Sequence, residues 1–370
     1  MSTAGLVKCV VWDLDNTLLR GTYLESLPDR PPADPALSGL LAELGRRGIV
    51  HAIASRNPPE AAEYAAQATG CEFVAAECGW GRKSEALTRI AAGLDISVDA
   101  LAFVDDDPYE RAEVGAALPG VRVLSPEDAA EAVGWPEFSP AVVTEEARRR
   151  AGLYQQRHRR QQAEQAFTGS HEEFLRSCQT EVTIAAASPA DVPRLHELSE
   201  RTSQFNSAGQ ALPAESIAAL LGAPATDVMT VRLRDRFADD GLVGGCVIDW
   251  RQDRVAAVPL LMMSCRAIGR GVIDSLLTWL AGRAARRGAA EVQVPCPVSE
   301  RSVPLRLALA RAGFRATADQ AAGPGRTVSG RTVSGYTVSD YTVSGRIVFR
   351  CDLGTPRPAL PDWVTAPGEA

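Results

Sequence analysis

The chain has 370 residues, 45% of them hydrophobic and 23% charged, with a formal net charge of −7. That length suits two domains, each with its own core. The acid excess argues against a general nucleic-acid binder, and no apolar run approaches the roughly 20 residues of a membrane span. Met1-Ser2-Thr3-Ala4-Gly5 lacks the basic start and apolar stretch of a secretory signal. The eight Cys are scattered without a Cys-x-x-Cys pair. They fit neither a zinc site nor a disulfide framework and read as reduced thiols of a cytoplasmic protein.

Val10-Val11-Trp12 reads as a buried strand that ends in Asp13-Leu14-Asp15-Asn16-Thr17. Side chains alternate along a strand, so Asp13 and Asp15 share one face if it stays regular. Two carboxylates that close repel unless a cation or proton joins them. A hard cation such as Mg²⁺ takes oxygen ligands and bridges to phosphate. A solvated Asp-x-Asp turn is the plainer alternative.

Leu18 to Pro35 reads as a loop, and Leu37, Leu40, Leu41 and Leu44 then space a helix over 36–47, closed by Gly48. Ile49 to Ala54 is a second buried strand, followed by Ser55-Arg56-Asn57-Pro58. Ser55 there is either a helix cap or a holder of a phosphoryl oxygen. After a short strand over 71–76, Lys83 falls in the first turn of a helix, where it opposes the helix dipole. A phosphate would reverse that cost; a surface Lys is the alternative. Leu101 to Val104 is a fourth strand and ends in Asp105-Asp106-Asp107-Pro108. Three acids in a row call for a nearby cation. Val121 to Leu124 adds a fifth strand. This alternation predicts a parallel, doubly wound sheet.

The Asp13-Leu14-Asp15-Asn16-Thr17 run resembles the D-x-D-x-T signature of the haloacid dehalogenase (HAD) phosphatases. Ser55, Lys83 and the acid run at Asp105 match that family's later motifs. The resemblance implies Asp13 as nucleophile, Asp15 as acid and base, and Lys83 as the neutralising cation. Phosphate would be held by Ser55, Arg56 and Asn57, and Mg²⁺ by Asp13, Asp15, Asp105 and Asp106. It also implies a HAD-type Rossmannoid sheet without a large cap, since only a loop follows Asp15.

Thr144 to Phe174 reads as polar helix carrying Arg148, Arg149, Arg150, Arg157, Arg159 and Arg160. It is either a solvated connector or a face for an acidic carrier protein. Strands follow over 182–185, 227–233, 241–250 and 258–265, with a helix over 188–199. Then comes Arg266-Ala267-Ile268-Gly269-Arg270-Gly271 and a helix to Arg287. Arg-x-x-Gly-x-Gly resembles the pyrophosphate loop of GNAT acyltransferases, with Arg266, Gly269 and Gly271 at the phosphate. A Gly turn is the plainer reading of the hexapeptide. A thiolate at Cys265, beside Arg266 and that helix, is a candidate acyl acceptor, and a buried strand thiol is the alternative. His196 is a possible base or a surface residue. The Thr-Val-Ser-Gly repeats of 327–345 read as an exposed expansion, Arg346 to Asp352 as a closing strand, and the tail from Thr355 as loose.

Trp80-Gly81-Arg82-Lys83-Ser84-Glu85, Phe103-Val104-Asp105-Asp106-Asp107-Pro108-Tyr109-Glu110-Arg111 and Arg201-Thr202-Ser203-Gln204-Phe205-Asn206 further resemble the FkbH-like proteins of polyketide clusters. That resemblance implies a HAD-like domain over 1–135, a helical linker over 136–180, a GNAT-like α+β domain over 181–353 and a flexible tail over 354–370. It implies Mg²⁺-dependent dephosphorylation of 1,3-bisphosphoglycerate and loading of the glyceryl unit onto the phosphopantetheine thiol of an acyl carrier protein. The alternative is a HAD phosphatase of small phosphoesters with a non-catalytic GNAT-like binding module.

Overall fold

A computed structural model describes residues 6–318 and 346–365, apart from Leu27, Ala141, Ser203, 357–358 and 360. The repeats of 327–345 lie outside the described residues. The chain forms two compact units, divided between Arg159 and Arg160. The linker expected over 136–180 is thus shared between them. None of the eight cysteines is in a disulfide. No described helix is long and apolar enough to cross a membrane.

The first unit runs β1 (Cys9–Trp12), α1 (Pro35–Arg46), β2 (Val50–Ser55), α2 (Glu60–Thr69), β3 (Phe73–Cys78), α3 (Lys83–Leu94), β4 (Leu101–Val104), α4 (Pro108–Ala117), β5 (Arg122–Leu124), α5 (Pro126–Ala132) and α6 (Glu145–Arg148). The helix α7 (Arg150–Gln165) follows. The strands form one parallel sheet in the order β3-β2-β1-β4-β5. Parallel strands with both faces covered must be apolar on both sides. Val10, Trp12, Ile53 and Val104 pack with the leucines of α1 and the alanines of α2 and α5. Cys9, Val11, Ala52, Leu101 and Phe103 pack with Leu87 and Ile90 of α3 and Val114 of α4. Each of the Val, Leu, Ile and Phe side chains among them, fully buried, contributes about 1.5–3 kcal/mol.

That alternation positions the site. Asp13 continues the Cys9–Val11 face and Asp105 the Leu101–Phe103 face, both of which α3 covers. Strand order reverses between β1 and β4, the place where open α/β sheets bind ligands beyond the strand carboxyl ends.

The second unit runs α8 (His171–Ser177), β6 (Thr180–Ala186), α9 (Val192–Arg201), α10 (Ala214–Leu221), β7 (Thr226–Arg234), β8 (Asp239–Asp249), β9 (Val255–Met263), α11 (Val272–Arg286), β10 (Glu291–Pro297), α12 (Val303–Arg311), β11 (Arg315–Ala318), β12 (Arg346–Asp352) and β13 (Val364–Thr365). Its mixed sheet has the order β11-β12-β10-β9-β8-β7-β6-β13. Helices α9 and α10 cover one face, α11 and α12 the other.

One feature of this unit departs from expectation, and a second bears on its sheet. The tail was expected to be loose, yet Val364 is buried in the core and β13 pairs in parallel with β6. The parallel pairing of β9 with β10 stops at Ala257–Gln293. Beyond it, Phe205–Ser207 lies along the inner edge of β9. Ser207 N–H donates to Leu261 O at 2.9 Å, Met263 N–H to Phe205 O at 2.9 Å, and Leu261 N–H to Ser207 Oγ at 2.8 Å.

Candidate active site

Asp13 follows β1 directly, and its N–H donates to Val104 O at 2.9 Å, which fixes its backbone against β4. Lys83 opens α3 with no side-chain cap on that helix. Its buried ammonium donates to Asp13 Oδ1, to Ala54 O at 2.6 Å, and lies 3.2 Å from Asp105 Oδ2. Only 3% of Lys83 and 2% of Asp105 are exposed. A lysine is tolerated at such depth because two carboxylates and a carbonyl surround it.

Burial pushes the Asp13 carboxyl up, to about 7; the Lys83 ammonium opposes that and the Asp105 carboxylate adds to it. Burial likewise raises Asp105. Burial pulls Lys83 down, but Asp13 and Asp105 together hold its ammonium above the ordinary value. The lysine is therefore charged wherever the acids are.

Among the described residues, Asp13, Asp105 and Asp106 bring carboxylate oxygens within 4.8 Å of one another. Asp105 Oδ2 is buried, with the Lys83 ammonium as its charge partner. Two buried carboxylates share that one ammonium with the exposed Asp106 beside them, which leaves excess negative charge in the group. An all-oxygen set of that kind fits a hard divalent cation such as Mg²⁺. Thr17 steadies Asp106: its hydroxyl accepts from Asp106 N–H at 3.0 Å and donates to Asp106 Oδ1 at 3.3 Å. Arg111 donates to the carbonyls of Asp105 and Asp106 at 2.6 and 2.7 Å. Asp107 caps α4 through Tyr109 N–H at 2.8 Å.

Asp15, expected among the metal ligands, is not part of that group. Asn16 has φ +53°, and the chain turns there. Asp15 Oδ1 instead accepts from Tyr23 N–H at 2.8 Å, and Oδ2 from Asn57 Nδ2 at 2.9 Å. Asn57 was expected at the phosphate. It is buried, and its amide also donates to Ser55 Oγ at 3.0 Å. It therefore ties the Asp15 carboxylate to the Ser55 hydroxyl. Ser55 caps no helix, since the residue before α2 is Pro59. Arg56 pairs with Glu110 at 2.6 Å, a residue to which the sequence reading gave no role.

The turn after β9 is built differently from its expected phosphate-binding role. Cys265 begins a short 3-10 turn, Cys265–Ala267, and α11 starts only at Val272. Arg266 is buried. Arg270, also buried, reaches Asp235 Oδ2 at 2.5 Å and pairs with Asp240; Arg160 joins Asp235 at 3.2 Å. Gly269 has open space where a Cβ would stand. At Gly271 the same position lies 2.8 Å from Val364 Cγ2 and 3.1 Å from Trp363 Nε1. The tail thus covers the end of the Arg-x-x-Gly-x-Gly turn. His196 is buried rather than at the surface, with Nδ1 2.6 Å from Leu212 O. Of the arginines considered for carrier docking, Arg150 is buried and donates to Gly48 O at 2.7 Å. Arg157 lies 3.6 Å from Asp95.

No protein-family model and no curated protein matches the sequence. Among solved structures, the N-terminal part of BF1531 from Bacteroides fragilis, described as containing a phosphatase domain complexed with Mg, is 26% identical. That match covers 36% of this chain and 39% of that one, with a TM-score of 0.31. The ribosomal-protein-S18-alanine N-acetyltransferase of Escherichia coli is 13% identical over 47% of this chain and 96% of its own, with a TM-score of 0.33. The GNAT domain of S. lividans PAT is 13% identical over 46% of this chain and 89% of its own, again at 0.33.

Proposed function

We propose that the first unit is a Mg²⁺-dependent phosphatase that works through an aspartyl-phosphate on Asp13. The observation that carries this reading is the buried contact of Lys83 with both Asp13 and Asp105, beside Asp106. Asp13, Asp105 and Asp106 would hold Mg²⁺, which when bound supplies the positive charge a transferring phosphoryl group needs. Lys83 keeps the Asp13 carboxylate ionised and aimed, and neutralises the phosphoryl oxygens. An Asp13 oxygen attacks phosphorus, the ester P–O bond breaks, and the leaving oxygen takes a proton from Asp15. Water then attacks the same phosphorus while Asp15 takes its proton, the Asp13–phosphorus bond breaks, and phosphate leaves. Tyr23 N–H and Asn57 hold Asp15 in place for both transfers. Ser55 Oγ, at the end of β2, would hold a phosphoryl oxygen, and Arg56 follows it at the rim.

The resemblance to FkbH-like proteins extends this to a glyceryl transferase. In that fuller reading 1,3-bisphosphoglycerate is the donor, Cys265 accepts the acyl group as a thioester, and the phosphopantetheine thiol of an acyl carrier protein takes it on. The covered turn at Gly271 favours the second reading, a phosphatase of small phosphoesters whose second unit binds without catalysing. Phosphate release from the chain and its Asp13→Asn variant tests the first step. Retained turnover in the variant would sink the assignment. Intact-mass measurement of a carrier protein after incubation with Mg²⁺ and 1,3-bisphosphoglycerate separates the two readings, since only the transferase adds a glyceryl-sized mass.

A further inference from the structure

The ion pair between Arg56 and Glu110 joins two elements that are not neighbours in the sheet. Arg56 follows β2, and Glu110 lies in the first turn of α4, after β4. In the order β2-β1-β4, the strand between them is β1, whose end carries Asp13. Strands two places apart are separated by about 10 Å, the joint reach of an extended arginine and a glutamate. The pair at 2.6 Å therefore bridges the mouth of the site across the nucleophile.

Its two partners are unequally placed. The Glu110 side chain is buried and the Arg56 side chain is 48% exposed. Glu110 Oε2 makes no hydrogen bond, and Arg56 is the ion-pair partner of its other oxygen. Burial raises its carboxyl, against the pull of Arg56. The phosphoryl position lies below, among Asp13, Lys83 and Asp105. The half-exposed guanidinium leaves N–H groups open to solvent, where the departing part of a substrate would sit. Asp106 and Asp107 on the same rim are exposed acids, so a negatively charged leaving group is drawn to Arg56 rather than to them.

Resting on the phosphatase reading, we infer that Glu110 is a positioning residue that holds Arg56 across the mouth above Asp13, where Arg56 selects phosphoesters whose leaving group carries a second oxyanion. A planar guanidinium fixed on one side by a carboxylate keeps free N–H donors for bidentate contact with a carboxylate or phosphate.

The probes are 2-phosphoglycolate and 2-hydroxyethyl phosphate, similar in size but differing by one carboxylate. The unaltered protein should prefer 2-phosphoglycolate by tenfold or more in kcat/KM. Arg56→Ala should remove that preference, mainly through KM for 2-phosphoglycolate. Glu110→Gln, which keeps the shape and loses the charge, should cut the preference at least threefold, and Arg56→Lys should restore part of it. The ratio between substrates is insensitive to any loss of folded protein. Equal losses on both substrates, or an unchanged ratio in Glu110→Gln, would overturn the inference while leaving the phosphatase intact. Release of phosphate from neither probe by the unaltered protein would overturn both.

Discussion

His51 gives the sharpest test of the first unit's core, because its protonation is dictated by packing alone. It lies in β2, buried, with Trp12 Nε1–H donating to its Nδ1 at 3.2 Å and its Nε2 3.0 Å from Leu41 O. Those contacts require the neutral ring with the proton on Nε2, since Nδ1 must accept from the indole. Burial pulls its pKa from the ordinary 6.5 down to about 4, only partly offset by the Leu41 carbonyl. Between those values the unfolded chain binds the proton and the folded chain refuses it. Stability is therefore full above pH 6.5 and falls as pH drops toward 4. At about 1.36 kcal/mol per pH unit, the whole window is worth about 3 kcal/mol, most of it gone by pH 4.5. Histidine nitrogen NMR on the four-His chain should show one ring that keeps its Nε2–H form down to about pH 4. Urea unfolding, followed through exchange of β1 and β2 amides, should show the gap in stability between the chain and His51→Gln close by about 2.5 kcal/mol from pH 7.5 to 4.5. A ring that titrates near 6.5, or a gap indifferent to pH, would refute the reasoning.

Lys83→Met leaves Asp13 and Asp105 facing each other without a cation, so metal-free protein should lose about 3–5 kcal/mol in urea unfolding. Saturating Mg²⁺ should recover part of it, and a variant as stable as the parent would contradict the pairing. Mg²⁺ added to the unaltered protein should raise its melting temperature, about 2.7 kcal/mol at a hundredfold excess over Kd, and EDTA should reverse this and stop phosphate release. A melting curve indifferent to both would remove the metal from the site. Gly271→Ala places a methyl 2.8 Å from Val364 Cγ2 at a φ of +74°. It should cost about 1–3 kcal/mol and expose the tail to limited proteolysis, whereas unchanged cleavage would mean that the tail does not rest there.

The short strands β1 and β4 were legible because each is an uninterrupted apolar run that stops at a polar residue, and β2 because only His51 breaks its run. Lys83 was legible too, because a lysine at a helix start is electrostatically out of place unless something negative faces it. The partners of these residues were not legible, since they are set by strand order rather than by spacing. Asn57 and Asp15 are joined across β2 and β1. Nothing local marks Asn57 as a clamp rather than a phosphate ligand. Asp15 stands outside the acid group because Tyr23 N–H and Asn57 take its oxygens. Glu110 looked like an ordinary acid of a first helical turn, and only the order β2-β1-β4 makes it the partner of Arg56. In the second unit, His196 looked like a surface residue on a polar helix, but Leu212 closes over it. The Arg-x-x-Gly-x-Gly turn resembled a phosphate loop, yet Arg270 answers to Asp235 and Asp240, acids thirty or more residues earlier.

The short run Phe205–Ser207 along β9 also has a bearing on chemistry. An extended segment entering between β9 and β10 would find this edge of β9 already hydrogen-bonded. It could dock only by exchanging places with residues that already make those bonds, so the swap itself yields little. Affinity for such a guest would have to come from its far end, and loosening of this segment would accompany every successful entry.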